Sequence, residues 1–390
     1  MENVIIVRYA EIYLKGLNRP YFEKALIRNI KAALSELEGF TVRRSESRVY
    51  IEGLGKDDIP RAVEALRYVF GIHSVCPAVR VAQDIGEAAA ALSEMVKNEM
   101  RRFPGGASFR VEAKRADKRF PVKSNDIAAK AGEIILKSVE GLKVDLVRPD
   151  ITAYLEMREK AYCYTRITEG PGGMPVGSGG RAMLLLSGGI DSPVAGIMTA
   201  KRGVELSAVH FESFPYTSEK ALGKVTGLAR IMSRYAGRIR LHVVRFTDIQ
   251  TKLREECPED YLTVLMRRSM MRIAEKLAEN DGCAALVTGE SIGQVASQTL
   301  QSIAVTNDAA GIPVLRPLIG MDKEEIIEKA RRYGTFETSI LPYEDCCTIF
   351  VPKHPVTRPD ASRAREAEAG LGIDAAEKAA IAEERIMTIE

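Results

Sequence analysis

The sequence predicts a multidomain protein of mixed class, α+β in its first half and α/β with a parallel sheet in its second. Three observations carry that reading. The chain has 390 residues, more than one ordinary core accommodates. Hydrophobic residues make up 46% and charged residues 28%, the balance of a globular chain rather than a disordered one. Strand-like and helix-like periods alternate throughout, but their grammar changes at Gly170–Arg181, where six of 12 residues are Gly and two are Pro. Such a stretch holds neither a helix interior nor a central strand, and reads as a linker or as a loop leading into a buried strand.

Val4–Tyr9 is a β-branched run that opens the fold as a strand. Tyr21–Leu37 carries Phe22, Leu26, Ile27, Ile30, Ala33 and Leu34 at helical spacing, and Phe40–Glu52 alternates again. Residues 1–58 therefore form a small α+β module. A helix over Asp58–Phe70 opens a second module, 59–167. It continues as strand Ser74–Ala82, helix Ile85–Met100, strand Ser108–Lys114 and helix Asn125–Val139. Strands Ile151–Met157 and Ala161–Ile167 flank the turn Arg158-Glu159-Lys160. After the Gly/Pro-rich stretch, placed at 168–181, short apolar strands (Met183–Leu186, Val204–Phe211, Arg240–Val244, Ala284–Thr288) alternate with helices over 193–201, 221–235 and 261–277. That alternation indicates a doubly wound parallel sheet over 182–390.

No run of about 18 apolar residues is present, which excludes a conventional membrane helix. The N-terminus lacks the basic segment and cleavage site of a signal peptide. Six cysteines in so long a chain are not a disulfide framework, so a reducing, cytoplasmic address is expected. Charge is unevenly spread: residues 101–148 carry 12 Lys/Arg against 6 Asp/Glu. A solvated mixed-charge surface accounts for such a count, and so does a module that meets a polyanion.

The chemistry-bearing segment is Ser187-Gly188-Gly189-Ile190-Asp191-Ser192, set between an apolar strand and a helix. An α/β sheet binds ligands at that end of a strand. Two glycines let the backbone approach an anion, Ser192 can cap the helix, and the helix start favours negative charge. Asp191 would repel a phosphate unless a divalent cation bridges the two. Ordinary turn chemistry with a helix cap is the competing explanation. It is not a Walker A loop, because no Gly-Lys-Ser/Thr follows.

The hexapeptide resembles the PP-loop of ATP pyrophosphatases, which split ATP between its α- and β-phosphates. Leu184–Ala195, Val209-His210-Phe211, Arg267-Arg268, the run from Thr288 to Thr299, and Leu341-Pro342-Tyr343-Glu344-Asp345-Cys346-Cys347 together resemble the tRNA 4-thiouridine synthetase family. So do the N-terminal run from Glu11 to Arg19 and the THUMP-like stretch Phe109–Asp145. The resemblance implies a ferredoxin-like domain over 1–58, a THUMP α/β domain over 59–167, and a Rossmann-like PP-loop domain over 182–390. It implies ATP-dependent sulfur transfer to uridine 8 of tRNA through an adenylated uracil attacked by a cysteine persulfide.

The implied ATP site comprises Leu185, Leu186, Ser187, Gly188, Gly189, Asp191, Ser192, His210, Phe211, Arg267, Gly289 and Gln298. Mg2+ would join Asp191 to the nucleotide. His210 also reads as a satisfied structural histidine, Phe211 as core, and Gly289 as a simple turn residue. The implied sulfur acceptor is Cys347 rather than Cys346, although adjacent cysteines also read as ordinary buried thiols. Lys353 and Arg358, nearby in sequence, could lower a thiol pKa, although loops often carry cations without that effect. The chain stops about 40 residues after Cys347, so it resembles the branch without a rhodanese domain, and a cysteine desulfurase would deliver the persulfide. Lys114, Arg115, Lys118 and Arg119, near Phe120, would grip tRNA phosphates, with Lys15, Arg19, Arg43 and Arg44 extending that surface more weakly. A charged edge strand protected against aggregation explains the same residues. Relatives suggest a homodimer, and a second use of the sulfur in thiamin thiazole synthesis is left open. Two rival readings are a PP-loop enzyme acting on another acceptor and a tRNA-binding or sulfur-carrier protein without catalysis.

Overall fold

A computed structural model describes residues 1–45, 47–343, 352 and 355–390. The chain divides into two units, Met1–Gly172 and Gly173–Glu390.

The first unit is built on one nine-stranded sheet. Its elements are β1 (Glu2–Tyr9), α1 (Arg19–Ala33), β2 (Thr41–Ser45), β3 (Arg48–Glu52), α2 (Ile59–Leu66), β4 (Ile72–Val81), α3 (Ile85–Met100), β5 (Ala107–Arg115), α4 (Ser124–Ser138), β6 (Leu142–Val144), β7 (Ile151–Met157), β8 (Ala161–Tyr164) and β9 (Thr168–Glu169). The strand order is β2-β3-β1-β4-β8-β7-β5-β6, with β9 pairing to β4 off that path. The alternating stretch at 40–52 is a hairpin of two strands, β2 and β3.

β4 joins the two modules. It runs antiparallel to β1 from Glu2↔Arg80 to Val7↔Val75, and its other edge takes β8 at Val79↔Cys163 and β9 at Ser74↔Glu169. Leu26 and Ile30 of α1, Ala62 and Leu66 of α2, and Ile72 and Val75 of β4 share one apolar cluster with β1 and β3. Residues 59–75, read from sequence into the second module, thus pack with the first. A separate cluster joins α3 and α4 to β5, β7 and β8.

The second unit contains β10 (Arg181–Leu185), α5 (Asp191–Ala200), β11 (Glu205–Glu212), α6 (Glu219–Ala236), β12 (Ile239–Arg245), α7 (Thr247–Glu256), α8 (Leu262–Asn280), β13 (Ala285–Val287), α9 (Leu300–Asn307), β14 (Val314–Leu315), α10 (Lys323–Tyr333), α11 (Phe336–Ser339), α12 (Ala361–Glu368), α13 (Ile373–Ala382) and β15 (Arg385–Ile389). The strand order is β14-β13-β10-β11-β12-β15. All neighbours pair in parallel except β15, which runs antiparallel along β12. Ala182, Met183 and Leu184 of β10 are at most 1% exposed, as a central parallel strand covered on both faces requires.

The chain steps from β10 to β11 and β12 on one side, then crosses to β13 and β14 on the other. The carboxyl ends of β10 and β13 therefore flank the switch point of the sheet, where doubly wound folds place their ligands.

The Gly/Pro-rich stretch is an ordered strap. Gly170 N donates to His73 O at 2.8 Å and Gly172 N to Ile72 O at 2.9 Å within the first unit. In the second, Met174 N donates to Lys201 O at 2.9 Å, and Gly177 and Gly179 both donate to Gly203 O. A Cβ on Gly173 would sit 2.2 Å from Lys201 O, so the close approach requires glycine.

Candidate active site

The loop after β10 closes on its own hydroxyls. Ser187 N donates to Ser192 Oγ at 3.0 Å, Gly189 N donates to Ser187 Oγ at 3.2 Å, and the two hydroxyls lie 3.2 Å apart. This shape holds the start of α5, with its partial positive charge, at the strand end. Ser339 of α11 supports the loop by donating to Gly189 O at 3.3 Å.

The loop after β13 presses against the same turn. A Cβ on Gly289 would fall 2.7 Å from Ser192 N and 2.8 Å from Asp191 C. Glycine is required because two backbones meet there. The next residues form a compact knot: Ser291 N donates to Gln298 Oε1 at 3.2 Å, Gly293 N donates to Gln298 O at 2.9 Å, and Ser291 Oγ donates to Met321 O at 2.6 Å.

Asp191 lies at the meeting of three segments. Lys323 Nζ, in the first turn of α10, donates to Oδ1 at 2.7 Å, and Gln294 Nε2 donates to Oδ2 at 2.8 Å. Gln294 Oε1 is buried with no partner among the described residues. α10 is fixed by a capping box in which Asp322 accepts from Glu325 N and Glu325 accepts from Asp322 N. A lone carboxylate beside a helix start suits Mg2+, which is held by one or two carboxylates and takes its other oxygens from phosphates and water. Among the described residues no group of three or more His, Cys, Asp or Glu could form a dedicated metal cage.

The other residues singled out from sequence are distributed around this rim. Leu186, nearly fully buried, donates its amide to Val209 O at 2.8 Å, while Leu185 is half-buried. His210 is buried and its Nδ1 lies 3.1 Å from Leu186 O, tying the ends of β10 and β11 together. Phe211 packs edge-to-face on Phe246, ring centroids 5.3 Å apart, so its ring belongs to the core. Arg267 reaches from α8 to donate to Ser297 O at 2.9 Å and to the carboxylate of Glu290. Lys323, Gln294, Glu290 and Arg316 were not singled out by sequence reading. The sequence signal available for Lys323 was the pattern Asp322-x-x-Glu325, which marks a helix start without saying where that helix lies.

Residues 177–372 match the family model described as thiamine biosynthesis protein (ThiI), residues 4–76 the ThiI ferredoxin-like domain, and residues 80–165 the THUMP domain. A probable tRNA sulfurtransferase of Acetivibrio thermocellus is 51% identical over 390 residues, covering 100% of this chain and 99% of the relative. The chain belongs to the ThiI family of tRNA sulfurtransferases. A second probable tRNA sulfurtransferase, from Caldanaerobacter subterraneus subsp. tengcongensis, is 48% identical over 94% of this chain and 95% of its own. Among solved structures, a 4-thiouridine synthetase crystallised with RNA and bound ATP superposes with a TM-score of 0.92 at 40% identity, covering 100% of both chains.

The first unit of this ThiI chain carries the cations read as RNA-facing. Lys114, Lys118 and Arg119 are exposed; Arg119 pairs with Asp117 at 3.0 Å and holds that carboxyl below its ordinary range. Arg115 is half-buried, donating its amide to Ser124 Oγ and a guanidinium proton to Phe120 O. Arg19 and Arg44 are engaged by Glu23 and Arg43 by Glu52, while Lys15 lies over the Phe22 ring at 5.2 Å.

Cys346, Cys347 and Lys353 lie outside the described residues. Tyr343, just before the pair, accepts from Lys224 Nζ through its carbonyl at 3.4 Å, as Leu341 O does at 2.9 Å. Burial pushes the thiols of Cys163 up to about 12 and of Cys257 and Cys283 up to about 11, and it raises Cys76 as well. These four stay protonated near neutral pH and are poor nucleophiles. No helix among the described residues is long and apolar enough to cross a membrane.

Proposed function

We propose that this chain converts uridine 8 of tRNA to 4-thiouridine by adenylating the uracil and then replacing its activated oxygen with sulfur. ATP lies across the switch point, its adenosine toward Leu185, Leu186 and His210 and its phosphates toward Ser187–Ser192. The uracil O4 attacks the α-phosphorus, the bond to the β-phosphate breaks, and pyrophosphate leaves. The α5 start and Lys323 stabilise charge that grows on the departing phosphates. Asp191 would hold Mg2+, which when bound would supply further neutralisation of the phosphate oxygens.

A persulfide on Cys347, delivered by a cysteine desulfurase, attacks C4 with its terminal sulfur and AMP leaves. A second thiol then takes up the Cys347 sulfur as a disulfide and leaves the outer sulfur on the base. The raised pKa values of Cys76, Cys163, Cys257 and Cys283 speak against all four for that step. Lys114, Lys118 and Arg119 contribute phosphate contacts that suit recognition of many tRNAs by shape.

The observation that carries this reading is the convergence of Asp191, Lys323 and Gln294 at the switch point. The test is to incubate the protein with unmodified tRNA, Mg-ATP and a cysteine desulfurase, then analyse the nucleosides by mass spectrometry. 4-Thiouridine confined to position 8, with AMP and pyrophosphate released, is the expected result. Thiolation elsewhere, or none, would overturn the assignment.

A further inference from the structure

Glu290 follows β13 by three residues and is 3% exposed. A carboxylate so buried is costly unless it is fully held. Thr288 Oγ1 donates to its Oε2 at 2.9 Å, Arg316 Nε donates to the same oxygen at 2.8 Å, and Arg267 Nη2 donates to Oε1. Burial alone would raise the Glu290 pKa; the guanidiniums of Arg267 and Arg316 outweigh it and hold the group below its ordinary range. Two guanidiniums therefore share one ionised carboxylate, and among the described residues one positive charge of the trio is not matched by a second carboxylate.

The three partners are not equally enclosed. The Arg316 side chain is 11% exposed and bonded to Asn307 Oδ1 at 3.0 Å, whereas that of Arg267 keeps 22% of its surface open. Arg267 is the member able to meet a ligand, and Glu290 and Arg316 are the members that fix it. An unrestrained arginine gives up rotamer freedom when it binds, and fixing it beforehand removes that cost from the binding step.

We infer that Glu290 is a positioning residue for nucleotide binding: locked by Arg316 and Thr288, it orients Arg267 toward ATP. The inference rests on the reading of Arg267 as an ATP-binding residue. A strut serving stability alone would lower the melting temperature when altered and leave nucleotide affinity untouched.

A double-mutant cycle on the full chain separates the cases, with ATP affinity by titration calorimetry and thermal melting recorded for each variant. Arg267→Ala and Glu290→Gln are each expected to weaken ATP binding about tenfold, the scale of one lost charge-assisted hydrogen bond. In the Arg267→Ala background, Glu290→Gln is expected to weaken it no further. If Arg267→Ala binds ATP normally, the reading of Arg267 fails and the inference with it. If Arg267→Ala weakens binding but Glu290→Gln does not, or if the two effects add, the positioning role alone is wrong. Should Glu290→Gln fail to fold, Arg316→Met takes its place in the cycle with the same expected and excluding outcomes.

Discussion

Gly289 and Ser192 meet backbone to backbone: a Cβ added to Gly289 would lie 2.7 Å from the Ser192 amide nitrogen. The loops after two strands, about 100 residues apart in sequence, thereby set each other's position at the switch point. Gly289→Ala is expected to push the start of α5 away from the nucleotide. Displacements near 1 Å cost about 100-fold in rate. The measurement is pyrophosphate release with saturating tRNA, alongside a melting curve. Full activity would mean that the loop spacing does not matter.

Asp191 is expected to be needed for adenylation and dispensable for tRNA binding. Asp191→Asn keeps the size of the side chain and removes the charge facing Lys323 at 2.7 Å. Pyrophosphate release should fall by at least about 100-fold, the scale seen when a group stabilising transition-state charge is lost, with tRNA affinity within about twofold of the parent. Lys323→Met should show the same pattern. Undiminished turnover in either variant removes that residue from the mechanism.

The sequence exposed the loop at 187–192 because local rules act there: an apolar strand, two glycines and a helix start in immediate succession. It did not expose Lys323 or Arg316, which reach the rim only because β13 and β14 cross to the far side of β10. β15 escaped for a different reason. It is an edge strand in which only Ile389 is buried, so it carries no alternating apolar pattern. Its place is set instead by pairing with β12 and by Glu384, whose Oε2 lies 2.5 Å from Nδ1 of the buried His242. The glycines of 170–180 were legible as a break in regular structure. That they form a bonded strap follows only from how closely Gly173 approaches Lys201.

The exposed cations of the first unit can be separated from the tethered one. Lys114→Ala with Lys118→Ala should weaken tRNA binding and flatten its logarithmic salt dependence by about 0.9 per lost duplex phosphate contact, or about 0.7 on single strands. Arg115→Ala removes a bond to Phe120 O and should cost stability as well. Binding measured between about 50 and 200 mM salt decides the matter. An unaltered slope in the double variant would locate the RNA surface elsewhere.

Cys347→Ser should still consume ATP in the presence of tRNA and release AMP-linked product without forming 4-thiouridine. Cys346→Ser should be milder. Nucleoside analysis by mass spectrometry distinguishes them, and a reversed order would move the acceptor to Cys346.

The first unit should lose stability in acid through Glu156. This residue is 3% exposed and meets Arg8 at 2.9 Å, Arg48 at 3.0 Å and Arg158 at 3.0 Å, with Tyr164 Oη donating to it at 3.0 Å. Burial opposes ionisation, but the three guanidiniums prevail and bring its pKa from 4.5 down to about 2. A carboxyl whose folded pKa is depressed contributes stability that is fully present above its unfolded value and is lost as pH falls through the folded one. The contribution, on the order of 3 kcal/mol, should therefore disappear between about pH 4.5 and pH 2. Glu156→Gln removes the carboxylate shared by the buried Arg48 and Arg158 and the half-buried Arg8, so it should destabilise strongly at neutral pH and much less at the acid end. Hydrogen exchange of β1, β3 and β7 amides across that range reads the effect in the intact chain. An acid dependence identical in the parent and the variant would show that another carboxylate is responsible.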